Sequence, residues 1–280
     1  MASLNKKRLK YFLKDLDQNV FGGFFFKLRK DHKKPVPELI ITPEERAVAL
    51  KEVIRQVQRP LPGDRDIKRV EILVLNFKAP EVEVKCAQHL IENTNWPYKL
   101  NLFDNRPGTK NMSKIFNKVI KESTCDYIVI MDSDVFVPKL DPCWLTRCME
   151  TFTTHPDCIA VVPLVTKTST KQLRASEPRK NPPEKIKGIF ANMCVLYKKE
   201  GFEKIGYFDE EFLMYAPDSE WSHRLINSLY SAYVRPDVLV DHIGHYSNTK
   251  ESKIKGQEIL SVVEKEYSED TFKKKTGTDL

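Results

Sequence analysis

From Val70 onward the chain alternates short apolar runs with amphipathic helical stretches, and this alternation constrains the fold more than any other feature. Residues 70–75, 98–103, 127–131, 158–164, 189–197 and 234–240 read as strands, the last broken by Pro236. Between them 80–93, 111–121, 141–152 and 218–229 read as helices, and an amphipathic helix over 254–267 follows. Helical connections favour parallel neighbours, so the expected fold is α/β with a mainly parallel central sheet and helices on both faces. Ligands of such sheets sit beyond the carboxyl ends of the strands. Residues 166–187, rich in Lys, Ser, Thr and Pro, interrupt the pattern as a long loop or irregular hairpin near that edge. Aromatic residues make up 10% of the chain, enough core material to exclude a wholly disordered protein. No apolar run approaches the length of a membrane-spanning helix.

The first 65 residues read as a separate helical extension, residues 66–250 as the main domain and 251–280 as a C-terminal helix and tail. Within the extension, 4–18 and 42–58 have helical patterns, the second opened by a Thr42-Pro43-Glu44-Glu45 capping box and ended by Pro60, Pro62 and Gly63. Residues 1–34 carry ten Lys/Arg and three Asp, which accounts for the whole formal charge of +7. A basic arm on a neutral body points away from nucleic acid, whose recognition needs a basic face on the domain itself. It suits an anionic membrane or an acidic partner instead, with Phe21-Gly22-Gly23-Phe24-Phe25-Phe26 beside the lysines. Packing on the main domain or on a second subunit is the competing reading, and the extension and C-terminal helix both offer surfaces for a homodimer. The N-terminus lacks the apolar segment and small-residue cleavage site of a secretory signal. The six cysteines form no CxxC pair and no zinc spacing, and several lie inside apolar runs. A reducing, cytoplasmic setting is therefore expected, peripheral at the inner face of a membrane if the arm docks there.

The strand ends gather acids. The first strand runs out into Asn76-Phe77, the second into Asp104-Asn105, and the third into Asp132-Ser133-Asp134. On extended backbone, residues two apart point the same way, so Asp132 and Asp134 repel one another unless a cation joins them. A hard divalent ion, Mn2+ or Mg2+, bound with substrate phosphates is the chemical reason to place them there. A surface turn is the plainer alternative, but the apolar flanks 127–131 and 135–137 put the pair at the rim of a core. Farther along come Gly206-Tyr207-Phe208-Asp209-Glu210 and Asp218-Ser219-Glu220-Trp221. An acid at a helix start can be a general base or an N-cap. His242, with His245 and Ser247, follows the last strand and offers an imidazole for a metal or a phosphate.

Taken together, these stretches resemble the inverting glycosyltransferases of family 2, with the GT-A nucleotide-sugar-binding fold, a Rossmann-like arrangement, over about 70–247. Asp132-Ser133-Asp134 is similar to the family's DxD motif, and Asp104 to its second-strand aspartate. Asn111 to Asn117 is similar to the stretch that follows it. Gly206 to Glu210 with Asp218 to Trp221 resembles the block carrying the catalytic base, and Asp241-His242 the late metal-binding histidine. Three positions depart from the pattern: Arg106-Pro107 replaces Gly-Ser, Pro217 replaces an acid, and Glu220 replaces Asp. The base is accordingly Asp218 or Glu220.

The resemblance implies a nucleoside-diphosphate sugar as donor, a divalent ion held by Asp132, Asp134 and His242, and a nucleotide pocket at Asn76, Phe77, Asp104, Asn111 and Asp132. Asp218 would deprotonate an acceptor hydroxyl for a single inverting displacement, in glycan or polysaccharide assembly, with a glycan or lipid-linked glycan acceptor. Tyr215 and Trp221 would stack on a sugar or pack in the core, and residues 166–187 would close over the donor or serve as a plain connection. A sugar-phosphate nucleotidyltransferase would need a Gly-rich loop after the first strand, where the chain reads Asn76-Phe77-Lys78-Ala79-Pro80. A catalytically inactive GT-A-like scaffold or partner-binding protein is the alternative outside catalysis.

Overall fold

A computed structural model of the chain describes residues 68–76, 80–104, 111–213, 215–243 and 257–280. The expected helices of the N-terminal extension, the aromatic-glycine stretch, Phe77, Arg106, Pro107, His245 and Ser247 lie outside these residues. Fourteen elements are described: β1 (Val70–Asn76), α1 (Pro80–Asn93), β2 (Tyr98–Asp104), α2 (Met112–Glu122), β3 (Tyr127–Asp132), β4 (Val135–Phe136), α3 (Trp144–Thr154), β5 (Cys158–Val165), β6 (Glu184–Lys185), β7 (Cys194–Lys198), α4 (Lys199–Ile205), α5 (Pro217–Ile226), β8 (Ser231–His242) and α6 (Gln257–Thr276). No described helix is long and apolar enough to cross a membrane.

The strands form one sheet in the order β2-β1-β3-β7-β5-β8-β4, with β6 also on β8. The pairs β1–β2, β1–β3 and β5–β8 are parallel, as the strand-helix alternation predicts. β7, however, lies antiparallel between β3 and β5. The cause is its entry: an irregular loop connects β5 to β7 in place of a crossover helix, so the chain can return in the opposite direction. The reversal has a consequence for the site. A parallel strand delivers the residues after it to the carboxyl edge, whereas β7 delivers the residues before it, 190–193.

Apolar residues line both faces. Along β1, Val70, Ile72 and Val74 pack with Cys86 and Leu90 of α1 and Trp144 and Cys148 of α3. Leu73 and Leu75 alternate to the other face, with Phe116 of α2, Phe202 of α4 and Trp221 of α5. All six cysteines are free thiols in this interior, as their apolar settings predict.

Several boundaries differ from the expectations. The strand expected over 189–197 is regular only from Cys194, because backbone donors before it are taken by α5: Phe190 N bonds Ser222 Oγ at 3.1 Å and Asn192 N bonds Asp218 Oδ2 at 2.6 Å. The short helix α4 has no counterpart in the expected pattern; its seven residues are too few for a clear period. Pro236 does not end β8. The strand absorbs it in a bulge, where pairing with β5 jumps from Pro163–Arg235 to Leu164–Leu239. The last helix reaches Thr276, beyond the expected end at 267.

Residues 166–187 form an ordered strap. Leu173 and Ile186 are buried, Val165 N and Ala175 N bond Leu173 O and Val165 O, and Arg179 N bonds Pro236 O at 2.8 Å. Gln172 ties its two arms together, donating to Lys185 O at 3.0 Å and accepting from Lys187 N at 3.1 Å.

Candidate active site

Parallel pairing places the ends of β1, β2 and β3 side by side. Asn76 is opposite Asp104, and Leu75 is opposite both Phe103 and Asp132. The first three sequence-predicted positions thus share one sheet edge. After β3 the chain turns through Ser133, which is buried, while Asp132 and Asp134 on either side are half-buried. It then enters β4, which pairs antiparallel with the end of β8, so that Val135 faces His242. This short pairing joins the third element of the site to the first two across more than a hundred residues of sequence.

The donor atoms of Asp132, Asp134 and His242 all lie within 4.8 Å of one another, the one group of this kind among the described residues. His242 Nε2 is 3.3 Å from Asp134 Oδ1. Its Nδ1 is 2.7 Å from the Lys167 carbonyl, an acceptor only, so Nδ1 carries a proton and Nε2 faces the acids. The backbone here is fixed by Thr166, whose hydroxyl donates to Asp241 Oδ1 at 2.8 Å and accepts from His242 N at 3.0 Å.

Electrostatics mark the group as short of positive charge. Burial, then repulsion from Asp134 and Asp218, pushes Asp132 up to about 7, with His242 only partly offsetting them. Burial works to lower the His242 pKa, but the hydrogen bond and charge of Asp134 outweigh it, with help from the Lys167 carbonyl, and raise it to about 9. Two carboxylate oxygens and one oriented imidazole nitrogen fit a hard or borderline divalent ion such as Mn2+ or Mg2+.

Asp218 sits in the first turn of α5, not at its N-cap; Ala216 holds that place, in the left-handed region at φ 66°, and Pro217 follows at the first helical position. The Asp218 carboxylate accepts from Asn192 N at 2.6 Å and Ser219 N at 2.8 Å. Burial still raises its pKa against these two donors. Left-handed backbone costs a residue with a Cβ about 1–2 kcal/mol. Ala216→Gly is therefore expected to raise the unfolding free energy by about 1 kcal/mol, read from denaturant melts; a loss of stability would show that the alanine methyl contributes more by packing than the strain costs.

Glu220 is placed differently. Both its oxygens engage Arg224, at 2.7 and 2.8 Å, and its side chain is almost wholly buried. Arg224 also donates to Ile205 O and Tyr207 O, while Trp221 Nε1 donates to Gly206 O at 2.8 Å. Three successive carbonyls are thus held by α5. Gly206 has φ 95°, and a Cβ there would fall 2.8 Å from Arg224 Nη1, so the glycine of the Gly-Tyr-Phe-Asp-Glu stretch serves this clamp. Trp221 is fully buried against Tyr197, Phe202 and Phe208, which settles its two readings in favour of core packing. Glu220→Gln is expected to cost about 2–4 kcal/mol of stability by breaking a buried, hydrogen-bonded pair; a thermal melt unchanged from wild type would contradict the clamp.

The segment between the clamp and α5 is pinned from two more sides. Asn117 exchanges hydrogen bonds with the Phe208 backbone, Asn111 Nδ2 donates to Glu210 O at 2.8 Å, and Ser113 Oγ donates to Phe212 O at 2.6 Å. Asn111 Oδ1 also caps α2 through Lys114 N. From α6, Lys275 pairs with Asp209 and with Glu211, and buried Phe272 packs with Phe212 and Ala216. Among the residues the sequence reading did not single out, only Arg224 carried a usable signal, its spacing of four from Glu220; Asn192, Thr166 and Lys167 act through backbone atoms or tertiary placement.

Residues 40–206, more than half of the chain, match the model of glycosyl transferase family 2. The chain belongs to that family, which places it among the glycosyltransferases. The match begins inside the segment assigned to the extension and stops before Asp218 and His242. No curated protein sequence matches the chain. Similar solved structures include GalNAc-T7 with UDP, GalNAc and Mn2+, 10% identical over 73% of this chain and 53% of that one, with a TM-score of 0.48. The chain thus spans about half of that protein's length. The mannosyltransferase PcManGT from Pyrobaculum calidifontis, in complex with GDP-Man and Mn2+, is 14% identical over 78% and 67%, with a TM-score of 0.49. Residues 1–349 of S. aureus TarS with UDP are 13% identical over 62% and 60%, with a TM-score of 0.42.

Proposed function

We propose that the chain is a metal-dependent inverting glycosyltransferase that moves a sugar from a nucleoside-diphosphate donor to an acceptor hydroxyl. The observation that carries this is the convergence of Asp132, Asp134 and His242 within 4.8 Å, at the sheet edge where β1 and β2 also end. Asp134, His242 and Asp132 would hold Mn2+ or Mg2+. When bound, the ion supplies Lewis-acid stabilisation of the departing diphosphate. Asp104 and Asn76, adjacent at the ends of β2 and β1, would border the nucleotide pocket; Phe77, also expected there, lies outside the described residues. Asn111 acts on that pocket through the position of α2, since its amide is engaged by Lys114 and Glu210.

Asp218 takes the proton from the acceptor oxygen as that oxygen attacks the anomeric carbon on the face opposite the leaving diphosphate, and configuration inverts. Asn192 N and Ser219 N fix one lone pair on each of its oxygens, which orients the carboxylate and leaves the remaining lone pairs for the proton. Glu220 serves as a positioning residue through Arg224. The acceptor is a glycan or lipid-linked glycan, in polysaccharide assembly, and the enzyme works at the cytoplasmic side, in keeping with its six free thiols.

The test is calorimetric binding of UDP, GDP, dTDP and CMP with and without Mn2+. One nucleoside diphosphate is expected to bind only with the ion, and NMR of the product formed from the matching donor should show the inverted anomer. Folded protein that binds no diphosphate would sink the reading in favour of an inactive scaffold.

A further inference from the structure

The strap 166–187 contains seven cationic residues and two acidic ones, Glu177 and Glu184. None of the seven forms an ion pair among the described residues, whose salt bridges all lie elsewhere. Lys171, Arg174, Lys180, Lys185 and Lys187 are exposed. Hydrogen bonds fold them together. Gln172 brings the stretch around Lys171 and Arg174 beside Lys185 and Lys187, and Arg179 Nη2 donates to Arg174 O at 3.2 Å. Crowding like charges on a rigid strap opposes folding, so the arrangement gains its worth from something outside the domain.

The band has a direction. It begins at Lys167, whose carbonyl orients His242, and ends at Lys185, paired with Tyr233 near the start of β8, toward the opposite edge of the sheet. Its two large apolar residues, Leu173 and Ile186, are both buried. Neither apolar side chain is available to insert into a bilayer, and the strap's other exposed groups are Ser, Asn, Pro and the single acid Glu177. That chemistry fits a hydrated anionic chain better than a membrane surface.

We infer that residues 166–187 are a docking track for a polyanionic acceptor, a glycan chain bearing repeated carboxylate or phosphate groups, whose growing end is led from the flank of the sheet to the metal group. The inference rests on the transferase reading for the word acceptor, and on the strap alone for the polyanion.

The experiment uses the full chain and a fluorescent polygalacturonate oligomer, with a dextran oligomer of equal length as the neutral control and phosphatidylcholine/phosphatidylglycerol vesicles as the membrane control. The fourfold variant Lys171→Gln/Arg174→Gln/Lys180→Gln/Lys185→Gln alters exposed side chains only, and an unchanged thermal melt verifies its fold. Wild type is expected to bind polygalacturonate and not dextran. The variant should bind about tenfold or more weakly at low salt, with the difference shrinking as salt rises, while its Mn2+-dependent diphosphate binding stays as in wild type. Equal binding by the variant would overturn the proposal and move the contact to the basic residues 1–34. Binding to anionic vesicles alone would overturn it in favour of a membrane, and no binding by wild type would end it. Strap-dependent polyanion binding in a protein that binds no diphosphate would remove the transferase reading and leave the polyanion contact standing.

Discussion

Asp134→Ala is expected to abolish Mn2+-dependent binding of the nucleoside diphosphate and to lower turnover by about three powers of ten, the equivalent of several kcal/mol of lost stabilisation of the departing phosphate. Asp134 is the carboxylate that meets His242 Nε2 at 3.3 Å, so its loss would remove a proposed ligand and leave Asp132 as the one acid of the group near the imidazole. The backbone arrangement should survive, because Ile243 N bonds Asp134 O and β4 pairs with β8 through main-chain atoms. This separates a chemical defect from a folding one. The most direct reading is thermal. Saturating Mn2+ with the diphosphate should raise the wild-type melting temperature, since a ligand at a hundred times its Kd adds about 2.7 kcal/mol. The variant should show no shift. A full shift in the variant would mean that the ion is held elsewhere.

Asp218→Asn should separate chemistry from binding. Turnover is expected to fall by about 10²–10⁴-fold, the usual worth of a positioned general base, with diphosphate and Mn2+ binding retained. Two backbone N–H groups converge on the wild-type carboxylate, and an asparagine has only one oxygen to accept them. A stability cost of about 1 kcal/mol from the lost bond follows. The sign with pH is also fixed. Burial raises the folded-state pKa of Asp218 above the ordinary carboxylate value, so the native state binds this proton more tightly than the unfolded chain. Its contribution to stability is present below the ordinary value and lost as pH climbs toward the raised one. The asparagine variant escapes that loss, so metal-free melts should show it gaining on wild type as pH rises through the acid range. Retained turnover in Asp218→Asn would return the base to Glu220.

What could be read from the sequence was whatever depends on neighbours along the chain. Asp132-Ser133-Asp134 announces itself because the two acids follow an apolar strand directly. The alternation Val70, Ile72, Val74 against Leu73, Leu75 is similarly local and gives a sheet buried on both faces. The direction of β7 was not legible, because it depends on how 28 residues between β5 and β7 route themselves in space. Nor were the different settings of Asp218 and Glu220, two residues apart in one helix turn. What distinguishes them is a partner: Arg224 closes on Glu220, while the backbone of residue 192, delivered by the antiparallel strand, reaches Asp218. The left-handed backbone at Ala216 gave no signal at all, since alanine, unlike Gly, Asn or Asp, does not visit that region routinely.

The grip of α6 on the segment before Asp218 would tie the proposed reaction to a local opening of the fold. Phe272 and Lys275 touch residues 209–216, and that segment sets where α5 begins. A molecule in which α6 has detached would keep its sheet, its strap and the Asp132, Asp134 and His242 group, yet lose one of the holds on Asp218, the proposed base. The fraction of such molecules is governed by the free energy of a partial opening, not by that of global unfolding. Catalytic competence and donor binding can then part company with temperature: binding should follow the sheet, and turnover the weaker attachment of one helix.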